Sequence, residues 1–137
     1  MSFELVPLHI QRIMQSQNYT LFILQALHKQ FAIYTAPNVG RNLKMHLGSE
    51  PKQRPTTYDL IRSILSGYEI SLMQVVLTDV KDTVYFARLF LEQEVDGIQK
   101  ILEIDARPSD CLSLALEHDV PLYCTREALE KTVALEE

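Results

Sequence analysis

Short hydrophobic segments separated by polar breaks dominate the first third of the chain. Residues 3–13, 19–27 and 30–36 are rich in Leu, Ile, Phe and Tyr, and polar residues interrupt them at 15–18 and 28–29. Apolar runs of this length, bounded by polar residues, are typical of β-strands. The pattern therefore predicts three strands.

Helical spacing follows in the next part of the chain. A first helix is predicted over residues 38–47, and a loop at 49–55 with two prolines separates it from a second helix. Thr56 or Thr57 can cap this second helix, and Gly67 is placed to end it. Its apolar face consists of Leu60, Ile61, Ile64 and Leu65.

The same order of elements begins again after Glu69. The periodicity predicts strands at 70–80, 83–92 and 98–106, a helix at 108–118, a short strand at 121–124 and a helix at 126–135. The helix at 108–118 is apolar nearly all round, which predicts that it is buried.

The two halves also match locally. Residues 32–38 align with residues 103–109 at a constant offset of 71 (103 minus 32), and in each a strand ends and a proline opens a helix. Proline suits the first helical position, because its missing N–H would be unbonded there. We therefore predict an internal repeat of residues 3–67 and 69–136, with chance similarity as the alternative.

These elements predict the fold class. A chain of 137 residues that is 47% hydrophobic can bury one substantial core but is too short for two ordinary domains. We expect a single α+β domain over residues 1–137, in which duplicated strand-strand-strand-helix units form one curved, largely antiparallel sheet. The helices should pack around that sheet.

Composition narrows the location of the protein. No run approaches about 18 consecutive apolar residues, so we expect no membrane span. The first residues lack the features of a secretory signal. The two cysteines, Cys111 and Cys124, have no metal-ligand spacing and are expected to be buried free thiols. We therefore expect a cytoplasmic protein.

The charge is uneven along the chain. The net charge of −5 argues mildly against a dedicated nucleic-acid binder. Residues 41–62, however, carry five basic and two acidic side chains, a local surplus of +3. The basic ones are Arg41, Lys44, Lys52, Arg54 and Arg62. This surplus can meet phosphates, or it can belong to a solvated loop.

The segment most informative about chemistry is residues 104–110, Ile-Asp-Ala-Arg-Pro-Ser-Asp. Asp105 ends a strand and Asp110 lies in the first turn of a helix, where the free N–H groups favour a carboxylate. Arg107 between them can hold a carboxylate or a phosphate. In the alternative, structural interpretation, Asp110 caps the helix and Arg107 pairs with Asp105 or Asp59.

Residues 54–59, Arg-Pro-Thr-Thr-Tyr-Asp, repeat this arrangement at another helix start. If the two starts face each other, Asp59, Asp105 and Asp110 can hold a divalent cation such as Mg²⁺ or Mn²⁺. Arg54 and Arg107 would then hold a phosphate, which is the minimum equipment for phosphodiester hydrolysis.

Two further segments in the second half carry polar residues. Asp79, Lys81 and Asp82 are typical of a turn between strands. Arg88 stands alone in an otherwise apolar strand, so it needs a partner or access to water. It can serve a binding site or extend to water at the sheet edge.

Several of these segments, in this order, resemble the bifunctional nuclease domain family. They are residues 54–60, 75–80, 84–89, 104–110, 114–116 and 120–123. The Asp-Ala-Arg-Pro-Ser-Asp string at 105–110 is the most specific of them. The resemblance covers roughly residues 30–130 and implies a small α+β domain with nuclease activity on both DNA and RNA.

Two departures from the family pattern bear on activity. Tyr58 stands where the family has a histidine, and a phenol with a pKa of about 10 is a poor acid or base near neutral pH. The family also has a tryptophan-containing strand and a Glu-Ala pair before the first helix. Residues 32–40 contain neither Trp nor Glu.

Two functions remain open on the sequence. The first is a metal-assisted nuclease acting on DNA or RNA. Its expected catalytic residues are Asp59, Asp105, Arg107 and Asp110, with Asp105 and Asp110 as metal ligands and Arg54, Arg88 and Ser109 as substrate-binding residues. The second is a non-catalytic interaction or regulatory domain, with the charged turns as structural contacts. Strands that are apolar on both faces favour a homodimer in either case.

Overall fold

The computed structural model describes residues 4–48 and 54–136. The strands are β1 (Leu5–Gln15), β2 (Thr20–Ala26), β3 (Lys29–Thr35), β4 (Ser71–Lys81), β5 (Val84–Val95), β6 (Ile98–Ala106) and β7 (Leu122–Thr125). The helices are α1 (Pro37–Leu47), α2 (Thr57–Gly67), α3 (Pro108–His118) and α4 (Arg126–Lys131).

All seven strands form one mixed, mostly antiparallel sheet in the order β3-β2-β1-β7-β4-β5-β6. Each half of the chain contributes an antiparallel meander of three strands. The short strand β7 joins the two meanders, antiparallel to β1 and parallel to β4. The fold is therefore α+β, as predicted.

The sheet curves so strongly that strands far apart in its order approach each other. β3 is its first strand and β5 its sixth. Nevertheless, the rings of Phe31 in β3 and Tyr85 in β5 stack with centroids 6.1 Å apart. We call the line along which β3 approaches the β4–β5 hairpin the seam.

The core lies between the sheet and the helices. Fully buried residues from both meanders, such as Phe22, Phe31 and Val75, belong to one cluster with α3 residues such as Leu112. Residues Cys111 to Ala115 of α3 are all buried, as its all-round apolar sequence predicts. Burial of this kind stabilises the fold by about 1.5–3 kcal/mol for each large apolar side chain.

Every predicted strand and helix is present, with ends that differ by up to four residues; β1, for example, runs on to Gln15 and β5 to Val95. The last helix ends at Lys131 rather than at 135, because Thr132 is extended and the chain then runs along β3, where the Leu135 amide donates to the Gln30 carbonyl. The apolar face of α2 is only partly covered, since Leu60 and Ile64 are 58% and 50% exposed.

Some expectations remain predictions. The predicted loop at 49–55 lies mostly outside the described residues, as does Lys52 of the basic surplus. The single domain and the internal repeat also stay predictions, although the two halves share their order of strands and first helix. In the described ranges, no helix is long and apolar enough to cross a membrane.

Candidate functional site

A cleft of about 490 Å³ opens at the seam, where the starts of α1 and α3 meet the beginning of β5. Its polar lining comes from elements distant in sequence: Tyr34, Thr35, Asn38, Asn42, Tyr58, Thr83, Tyr85, Arg107, Ser109 and Asp110. We call it the seam cleft.

Two helix N-termini border the seam cleft, and each of these helices begins at a proline. Pro37 opens α1 and Pro108 opens α3, after extended residues Ala36 and Arg107. Neither helix has a side-chain hydrogen bond from its N-cap residue. The N–H groups of a first helical turn favour negative charge, so this end of the cleft favours an anion.

Asp110 is held by two side chains at the cleft. The phenol of Tyr58 donates to Oδ1 of Asp110 at 2.7 Å, and Nε of Arg107 lies 3.4 Å from Oδ2. Among the described residues, α3 has no side-chain cap, and the acidic partner of Arg107 is Asp110 rather than Asp105 or Asp59, which the structural alternative expected. The Arg107 side chain is 82% exposed.

Tyr58 stays protonated at neutral pH. Its partial burial, and then the hydrogen bond to Asp110 and the charge of that carboxylate, raise the pKa of Tyr58 to about 12. The residue that replaces the expected histidine is therefore a hydrogen-bond donor to Asp110, and it is not an acid or base near pH 7.

The start of α2 places Tyr58 in the cleft and directs Asp59 away from it. Thr56 and Asp59 form a capping box, in which the Thr56 amide donates to Asp59 at 2.8 Å. Asp59 also lies 4.0 Å from Nδ1 of His46, and Glu117 lies 3.8 Å from the same nitrogen. Asp59 thus belongs to the contacts between α1, α2 and α3 and does not line the cleft.

Asp105 does not line the seam cleft. In the register of β5 and β6, Asp105 lies opposite Arg88, and the neighbouring pair Ala106 and Ala87 packs into the core cluster that includes α3 residues. Because side chains alternate along a strand, Asp105 and Arg88 point to the opposite face. Arg88 finds its partner there in Glu103, at 3.6 Å.

The predicted site residues are therefore divided. The structure brings Asp110, Arg107 and Ser109 together at the seam cleft, and places Asp59, Asp105, Arg54 and Arg88 outside its lining. Sequence reasoning missed Tyr34, Asn38 and Asn42 as lining residues. The repeated strand-proline-helix joint was the signal that could have identified the first two, because it predicts equivalent helix starts.

The assignment of Asp105 and Asp110 as metal ligands stays a prediction. No group of three or more His, Cys, Asp or Glu side chains within 4–48 and 54–136 is arranged to hold a metal ion.

The cysteines are buried and free, as expected. Burial is the main cause that raises the pKa of Cys111 to about 12 and that of Cys124 to about 11. Both are therefore thiols rather than reactive thiolates at neutral pH.

Comparison with known proteins identifies the family of this chain. An uncharacterized protein of Mycobacterium tuberculosis is 25% identical over 120 residues, which cover 86% of this chain and 69% of that protein. Bifunctional nuclease 1 of Arabidopsis thaliana is 34% identical over 75 residues, 53% of this chain and 22% of the plant protein. The model of the bifunctional nuclease domain matches residues 22–136. The chain belongs to the bifunctional nuclease domain family.

Proposed function

We propose that this protein hydrolyses phosphodiester bonds of DNA or RNA in the seam cleft. The observation that carries the proposal is the position of Arg107, an exposed cation beside Asp110 at the mouth of a cleft bordered by two helix N-termini. Cations and helix N–H groups are the donors that proteins use to hold phosphate. The family and the partial matches to plant bifunctional nucleases support the same activity.

The residues at the cleft suggest a division of roles. In the described part of the chain, Arg107 contacts a protein acceptor only through Nε, so its terminal nitrogens are available to a phosphate. Asp110, oriented by Tyr58, would accept a proton from an attacking water while the oxygen of that water forms a bond to phosphorus. The bond from phosphorus to the leaving oxygen breaks, and that oxygen takes a proton from solvent. Ser109 is placed to donate to a phosphate oxygen.

Assistance by a divalent cation stays a proposal, and no step above depends on it. Asp110 lines the seam cleft and Asp105 does not, so Asp110 is the carboxylate placed to meet such a cation there. A cation bound by Asp110 and the substrate phosphate would still supply charge neutralisation.

Cleavage of labelled single-stranded DNA and RNA tests the proposal. The reaction is run with Mg²⁺, with Mn²⁺ and with EDTA, for the wild type and for Arg107→Ala and Asp110→Asn. We expect both variants to lose at least about 10-fold in rate, the scale of one transition-state interaction. Arg88→Ala is the matched control, because Arg88 lies outside the cleft on the opposite face.

The activities of the variants test whether the seam cleft is the site of cleavage. Loss of cleavage in Arg107→Ala and Asp110→Asn, with cooperative melting preserved and Arg88→Ala active, supports the seam cleft as the site. Equal cleavage by all four proteins contradicts it, and no cleavage under any condition contradicts the activity itself.

The edge strand β6 favours a second candidate function, an interaction domain that forms a homodimer. β6 is the last strand of the sheet, and Ile98, Ile101 and Leu102 on it are 63%, 57% and 58% exposed. An edge strand with exposed apolar side chains can pair with another strand. We propose antiparallel pairing of β6 with β6 of a second copy.

The mass of the protein in solution tests this pairing. A dimer by light scattering that becomes a monomer in Ile101→Lys, while Ile64→Lys on the exposed face of α2 stays dimeric, supports it. A monomeric wild type at high micromolar concentration contradicts it.

A further inference from the structure

Tyr34 is an exposed aromatic residue at the seam cleft. It stands near the end of β3, and 65% of it is exposed to solvent. Arg107 and Asp110 line the same cleft. The lining of this cleft therefore contains both a flat apolar surface, the exposed ring of Tyr34, and an exposed cation, Arg107.

A second tyrosine supports the ring of Tyr34. Tyr19 contacts it edge to face, with centroids 5.1 Å apart and an interplanar angle of 75°. Tyr19 is itself positioned by a tight turn, in which the Ser16 amide donates to the Tyr19 carbonyl at 3.0 Å. Edge-to-face pairs of this kind are stabilising, so the ring is held in one orientation while most of it stays exposed.

The cleft continues past Tyr34. A second cavity of about 510 Å³ along the seam shares Tyr34, Thr83 and Tyr85 with the seam cleft. The two cavities form one groove between β3 and the β4–β5 hairpin. Tyr34 therefore borders both cavities, and Arg107 borders only the seam cleft of the two.

We infer that Tyr34 is a stacking platform for an unpaired nucleobase, whose neighbouring phosphate contacts Arg107. This inference rests on the proposed function and names its substrate class, single-stranded nucleic acid. Proteins that bind single strands combine cations for the backbone with aromatic rings on which bases stack. In a duplex each base face is covered by its neighbours, so Tyr34 selects single strands or ends.

Binding of a single strand that carries 2-aminopurine tests the platform, because stacking on an aromatic ring quenches the fluorescence of that base. The titrations contain EDTA, and gels verify that the strand stays intact. The proteins are the wild type, Tyr34→Phe and Tyr34→Leu. Tyr68→Leu is the control, since Tyr68 is 71% exposed at the end of α2, outside the groove.

We expect Tyr34→Leu to weaken binding about 5- to 100-fold, the loss that removal of one base–aromatic stack produces. It should also abolish the quenching. Tyr34→Phe keeps the ring and should bind within about 2-fold of the wild type, as should Tyr68→Leu. A duplex of the same sequence should bind more weakly than the single strand at equal salt.

The outcomes separate this inference from the proposed function. If the wild type binds and cleaves single strands and Tyr34→Leu does so equally well, the platform is wrong and the nuclease proposal stands. If the wild type binds duplex and single strand equally, the selection of single strands is wrong. If the wild type neither binds nor cleaves nucleic acid, both are wrong.

Discussion

The phenolic oxygen of Tyr58 lies 2.7 Å from Oδ1 of Asp110 and joins the start of α2 to the start of α3. These residues are separated by 52 positions in the chain. The contact sets the orientation of the only carboxylate that lines the seam cleft among the described residues. Tyr58 stands where the family pattern has a histidine. Its phenol donates a hydrogen bond to Asp110 at a position where a histidine could exchange protons near neutral pH.

Stability above pH 10 should depend on Tyr58. Its pKa in the folded protein is about 12, above the value of about 10 expected for an unfolded chain. The stabilisation is therefore complete below pH 10 and is lost as the pH rises towards 12. We expect the free energy of unfolding to fall between pH 10 and 12 by roughly 1 kcal/mol more for the wild type than for Tyr58→Phe, because water screens a half-buried group.

Urea titrations at pH 8.5 and at closely spaced values above pH 10 measure this difference. Tyr58→Phe should also be less stable at pH 8.5, by about 1 kcal/mol for one hydrogen bond. If the free energy of unfolding falls equally with pH in the two proteins above pH 10, folding does not change the pKa of the Tyr58 phenol.

Two glycines in helices should respond oppositely to alanine. The Gly40 amide donates to Oγ1 of Thr20 at 2.9 Å, and an added methyl would lie 2.8 Å from the same oxygen. We expect Gly40→Ala to destabilise by about 1–3 kcal/mol, the cost of overpacking. Gly67 has nothing within 4 Å of an added methyl, so Gly67→Ala should stabilise by about 0.4–1 kcal/mol. Thermal melts measure the change in melting temperature of each variant relative to the wild type. Changes of the same sign in both variants would contradict the prediction.

Leu112 should be among the most sensitive positions in α3. It is fully buried, and Leu112→Ala should lower the free energy of unfolding by about 3–5 kcal/mol through lost contacts and a cavity. Leu60→Ala is the matched control, since Leu60 is 58% exposed on α2. It should change stability by at most about 0.5 kcal/mol. A similar large loss in both variants would indicate that the α2 face is covered in solution.

Lys29 should hold the C-terminal segment against β3. Its Nζ donates to the carbonyls of Leu129 at 2.8 Å and Thr132 at 2.6 Å, at the end of α4. Lys29→Met removes both bonds and should destabilise by about 1–3 kcal/mol, the range for bonds to a charged donor. Hydrogen exchange of the Leu135 amide should become faster. In Lys100→Met, an exposed lysine of β6, that exchange should stay at the wild-type rate.

The local parts of this fold could be predicted from the sequence. Alternation and apolar runs located the strands, and Pro37 and Pro108 located two helix starts, because a strand period and a helix terminus depend on residues close together in the chain. The Asp-Ala-Arg-Pro-Ser-Asp string was sufficient to indicate the family. The all-round apolar α3 likewise predicted its own burial.

Relations between distant elements were decided only by the tertiary structure. The curvature of the sheet brings Phe31 onto Tyr85, and it results from twist accumulated over seven strands, which no single segment encodes. The same geometry places Tyr34, Arg107 and Asp110 around one cleft and leaves Asp105 outside its lining. The sequence by itself thus determined the elements, the family and the helix starts, including the Thr56 cap of α2 and the start of α4 at Arg126. The packing of those elements determined which side chains share a cleft.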